Sequence, residues 1–126
     1  MINKEYIYKM FNKAGLNIST EGILATHSDG SPRACLSIEE KERVIRITVS
    51  SHPPKSDSLF SPASMEIYWD IYLDQKGEEI KERTPNNWKE DIISFAKSFI
   101  SEEADLQYLG NCGLRSDYFK EDILEL

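Results

Sequence analysis

Three carboxylates recur at a fixed interval in the segment SMEIYWDIYLD, residues 64 to 74: Glu66, Asp70 and Asp74, each four residues from the next. Carboxylates in pairs serve as general acid and base, or as ligands to a hard cation, when their oxygens converge. The spacing here opposes convergence. The segment alternates apolar and polar residues with period two, the pattern of a β-strand, and residues four apart on a strand are separated by about 13 Å. Consecutive members of the set are therefore too far apart to share one ion at the roughly 2.0–2.6 Å that coordination requires.

The other residues capable of nucleophilic or metal chemistry are His27, His52, Cys35 and Cys112. Two cysteines without zinc spacing or a disulfide framework read as free thiols. A Cys35–histidine pair would need the strands that carry the two residues to be neighbours. The six glycines are scattered singly through turns, so no nucleophile elbow, phosphate-cradling loop or Walker motif is present. These observations lead us to expect no catalytic residue, no metal and no cofactor: a binding protein rather than an enzyme.

On a strand, Met65, Ile67, Trp69, Ile71 and Leu73 fall on one side, and Glu66, Tyr68, Asp70, Tyr72 and Asp74 on the other. The first side is core. The second is either a solvated sheet face, with Arg46 of the preceding strand pairing to one carboxylate, or a contact surface. Tyrosine brings rigid contact area with few rotors, and carboxylates complement lysine and arginine. The candidate partner-binding set is thus Glu66, Tyr68, Asp70, Tyr72 and Asp74, with the adjoining turn acids Glu78 and Glu79.

Charge supports the second reading. Residues 1 to 64 carry 7 acids and 8 bases, whereas residues 65 to 126 carry 15 acids and 7 bases, out of a formal net charge of −7. Such a field repels phosphates and attracts cationic proteins, so direct nucleic-acid binding is disfavoured and a basic protein partner is expected. No segment approaches the length of a membrane span, and Glu5 and Lys9 interrupt the first residues where a signal peptide needs an apolar core. The expected location is cytoplasmic, without membrane contact.

The elements that must position this face follow from period and punctuation. Residues 3 to 14 repeat apolar groups at helical spacing, and Gly15 stops them. GILATH and RACLSIE flank SDGSP, whose Asp29-Gly30 pair signals a hairpin. RVIRITVSS supplies a third strand, and the proline-broken segment 52 to 64, with Leu59 and Phe60 stranded in it, is a long loop. The carboxylate strand follows, then EEIKERT as a charged fifth edge strand. Asn87 caps a helix from Trp88 with Glu90 at its third position, and one or two further helices run on to the end. The expectation is a single α+β domain over residues 1–126, with a five-stranded antiparallel sheet, an N-terminal helix and two or three C-terminal helices.

A small acidic single domain with a tyrosine and carboxylate face and no catalytic constellation resembles the bacterial immunity proteins that neutralise nuclease toxins, including those of contact-dependent growth inhibition. That resemblance is to a class rather than a motif, and it implies a monomer or weak dimer that blocks a nuclease toxin's nucleic-acid site. The element order is also similar to that of the type III secretion chaperones, dimers that bind a secreted effector. In those proteins an element between the third and fourth strands forms the dimer interface, and here that place is taken by the loop 52 to 64.

Overall fold

A computed structural model describes residues 1–55 and 64–101, in the order helix, four strands, helix. Helix α1 is Lys4–Lys13, strands β1 to β4 are Ile23–Thr26, Pro32–Lys41, Val44–Ser51 and Met65–Tyr72, and helix α2 is Trp88–Ile100. The strands form one antiparallel sheet in the order β1-β2-β3-β4, a meander in which every neighbour in sequence is a neighbour in space.

Each element begins and ends for a local reason. Asn3 caps α1, its Oδ1 accepting from the backbone N–H of Tyr6 at 2.9 Å. Gly15 takes φ +81° just past the helix, a left-handed turn that favours glycine. The β1–β2 hairpin closes over Asp29 and Gly30, with Asp29 Oδ1 accepting from the N–H of Ser31 and Gly30 at φ +86°. β2 turns into β3 over only Glu42 and Arg43, because Lys41 pairs directly with Val44. Arg43 takes the left-handed conformation this tight turn demands, φ 62°.

The sheet has one buried face. Its cross-strand rows are Leu36–Val49–Ile67 and Ile38–Ile47–Trp69, all buried, with Ile45 and Ile71 beside them. Ile7 and Phe11 of α1 and Trp88, Ile92, Ala96 and Phe99 of α2 join the same cluster. Helix α2 lies mainly over β3 and β2, and Phe95 reaches Trp69 of β4 edge-on at 5.8 Å between ring centroids. Trp69 is buried, as the alternation requires.

Three expectations are corrected. The described residues hold four strands, not five: 78 to 84 is irregular, tied to the end of β4 by the isolated bridge Leu73–Glu79 and by the Ile80 N–H, which donates to the Tyr72 carbonyl at 2.7 Å. Ile80 is its one apolar residue, which leaves no alternating face to bury. The last N–H of β4, that of Tyr72, is taken by the Thr84 side-chain hydroxyl at 3.1 Å in place of a fifth strand's carbonyl. β4 also stops at Tyr72, so Asp74 belongs to a turn and not to the strand face. Asn87 precedes α2 but makes no side-chain cap; it adopts φ 59° instead, and its carbonyl accepts from Asp91. Among the described residues α2 is the one C-terminal helix. The further helices expected over 102 to 126, and Leu59, Phe60 and Cys112, lie outside them.

Candidate functional site: the polar sheet face

The face of the sheet away from the helices carries polar side chains in cross-strand rows. From one end to the other these are Cys35–Ser50–Glu66, Ser37–Thr48–Tyr68, Glu39–Arg46–Asp70 and Lys41–Val44–Tyr72. Period two puts them together: the odd positions of β2 share this face with the even positions of β3 and β4.

Arg46 stands at its centre. Nε donates to Asp70 Oδ1 at 2.8 Å and Nη2 to Asp70 Oδ2 at 2.9 Å, a two-point contact between directly opposed residues. The same guanidinium lies 4.1 Å from the centroid of the Tyr68 ring. Asp70 holds the Arg46 guanidinium above its ordinary pKa, chiefly through this hydrogen bonding. Next along β4, the Arg83 guanidinium sits 4.4 Å from the Tyr72 ring centroid. Arg43, Arg83, Tyr72, Leu73 and Ile80 help to line an open hollow of about 420 Å³ at that end of the sheet.

The expected partner-binding residues separate into two groups. Glu66, Tyr68, Asp70 and Tyr72 share the face. Tyr68 is exposed at 56%, on the face opposite its buried neighbours Ile67 and Trp69. Asp70 is half-buried and already engaged by Arg46, so it is not an unengaged carboxylate.

Asp74, Glu78 and Glu79 form the turn beyond the end of β4. Asp74 Oδ1 accepts from the N–H of Lys76 at 2.8 Å and of Glu78 at 2.9 Å, and these bonds lower its pKa. Its carboxylate shapes the turn. Glu78 Oε1 lies 3.6 Å from the N-terminal ammonium, with both groups exposed. The pairing of Arg46 with a β4 carboxylate was legible from alternation alone. The stacking of Arg83 on Tyr72 was not, because Arg83 reaches it from a turn.

Cys35 and His52 also approach one another, linked through Ser50, and His27 reaches the His52 backbone. Among the described residues no group of three or more His, Cys, Asp or Glu is arranged to hold a metal ion. No helix among them is long and apolar enough to cross a membrane. No family model matches this chain, and no curated protein or solved structure shows a significant likeness to it.

Proposed function

We propose that the chain is an immunity-type protein, which binds a basic partner, a nuclease toxin domain, through the polar sheet face and so blocks it. The observation that carries this reading is Tyr68. A tyrosine left 56% exposed at the middle of a strand, with its ring already fixed against Arg46, is a preorganised anchor. Little side-chain entropy remains to be lost when a partner covers it.

Attraction for a cationic partner comes from the summed negative charge around the anchor, to which the exposed Glu39, Glu66 and Glu78 contribute although each is already engaged within the chain. Asp70 contributes by holding Arg46 beneath the ring. Tyr72, half-buried under Arg83, extends the contact toward the turn of Asp74 and Glu79.

The test is photocrosslinking from position 68 in cells that make the protein, followed by purification of the captured partner. The reading expects a basic protein that cleaves nucleic acid and is inhibited at a one-to-one ratio by the wild-type chain. A captured partner that is acidic, or that binds the Tyr68→Ala chain as tightly as wild type, would contradict it.

A further inference from the structure

His52, just past the end of β3, is held at four points. Its backbone N–H donates to the Arg33 carbonyl at 2.9 Å, and its own carbonyl accepts from His27 Nε2 at 2.6 Å. Its ring lies between two serines, with Nε2 2.9 Å from Ser50 Oγ and Nδ1 2.9 Å from Ser64 Oγ. His27, which is buried, must carry its proton on Nε2 to meet a carbonyl, so its tautomer is fixed. The result is a hydroxyl, an imidazole and an orienting group in sequence, within the 2.6–3.2 Å or so that links a nucleophile to its base and the base to its orienter. Residues 50, 52 and 64 meet because the β3–β4 register sets Ser51 against Met65 and so brings Ser64 opposite His52.

We infer that Ser50 is a nucleophile toward activated acyl and phosphonyl esters, with His52 as its general base and Ser64 as the group that orients the base. With His52 protonated on Nδ1, that N–H donates to Ser64 Oγ and Nε2 accepts the Ser50 hydroxyl proton. Ser50 Oγ then attacks the carbonyl carbon or the phosphorus, the bond to the leaving group breaks, and the departing alkoxide, aryloxide or fluoride takes the proton from Nε2. The balance needs no further reactant.

Cys35, which hydrogen-bonds to Ser50, is not the nucleophile, since burial raises its pKa and keeps it a thiol. Ser50 is half-buried on the polar face and His52 half-buried beside it, with Ser64 exposed, so a small ester can reach them. Ser50 also lies on a strand paired on both sides, which commits its own N–H to the ladder and leaves it unable to serve as an oxyanion donor. Acylation is therefore expected to outrun turnover. This reactivity is independent of partner binding through Tyr68.

The experiment treats the full-length chain with a fluorophosphonate probe and with p-nitrophenyl acetate, and locates the adduct by mass spectrometry. The expected result is one equivalent of adduct on Ser50, absent in Ser50→Ala and present at the wild-type rate in Lys97→Ala, a change on the opposite, helical layer. In His52→Ala the rate should fall about 100-fold or more, the scale of a lost general base, and added imidazole should partly restore it. His52→Gln replaces that variant if it fails to fold, since glutamine keeps a polar contact but takes no proton. An adduct on any other residue, or a Ser50 adduct whose rate ignores His52, would overturn the proposal.

Discussion

Arg46 and Asp70 face each other across β3 and β4 in a two-point contact, 2.8 Å from Nε to Oδ1 and 2.9 Å from Nη2 to Oδ2, with the Tyr68 ring 4.1 Å from the same guanidinium. One carboxylate thereby fixes one arginine, and that arginine supports one exposed aromatic. The acidic strand face is for this reason less acidic than its sequence: its central charge is spent inside the sheet.

A double-mutant cycle on Arg46→Ala and Asp70→Ala should return a small favourable coupling, as expected for a partly exposed ion pair with bidentate geometry. Arg46→Lys should recover little of it, because an ammonium can neither span both oxygens nor lie flat on Tyr68. Urea unfolding of the four chains measures both, and added salt should shrink the coupling.

Neighbouring residues of β4 should respond in opposite ways to truncation. Trp69→Ala removes a buried ring that packs on Phe95 and should cost about 3–5 kcal/mol. Tyr68→Ala, one residue earlier, should cost no more than about 1 kcal/mol, as expected for an exposed side chain. Equal losses at both positions would mean that the two faces are misassigned.

Gly22 and Gly30 both take positive φ, at +82° and +86°, but only Gly22 is crowded. A Cβ there would stand 2.5 Å from the Leu36 carbonyl oxygen, whereas one at Gly30 meets nothing within 4 Å. Gly30→Ala should cost about 1–2 kcal/mol, the penalty of the left-handed conformation alone. Gly22→Ala should cost clearly more, because Leu36 N–H also bonds to the Gly22 carbonyl at 2.7 Å and β1 cannot move off.

Asp74 should make the fold acid-sensitive. Its folded pKa is lowered by backbone hydrogen bonds, from Glu78 first and then Lys76, so its ionised form contributes stability above the unfolded value. That contribution is lost as pH falls from the ordinary aspartate value of about 3.9 through the lower folded one. Thermal melting of wild type and Asp74→Asn should show a gap at neutral pH that closes below about pH 4. A gap independent of pH would assign the effect to shape instead of charge.

The period of the side chains made the four strands, the buried Trp69 and the shared face of Glu66, Tyr68, Asp70 and Tyr72 readable in advance. What period cannot show is which groups satisfy a strand's outer edge. EEIKERT is composed like an edge strand, yet the Thr84 hydroxyl closes the end of β4 and the chain turns away. Asp74 continues the alternation by one step too many, because its side chain finds backbone donors two and four residues ahead. Asn87 precedes a helix and resembles a cap, but the left-handed conformation uses its backbone tolerance instead. The Ser50–His52–Ser64 chain depends on the register that sets Ser51 against Met65, which the period of each strand alone does not specify.

The measurement that bears most directly on the central claim is the affinity of the captured partner for wild type, Tyr68→Ala and Lys97→Ala, the last a change to an exposed residue on α2. If the polar sheet face is the interface, Tyr68→Ala weakens binding about 30-fold, the equivalent of the 2 kcal/mol or so of an anchor residue, and Lys97→Ala leaves it unchanged. Wild-type affinity in Tyr68→Ala, with loss in Lys97→Ala, would place the partner on the helical layer and return this face to solvent.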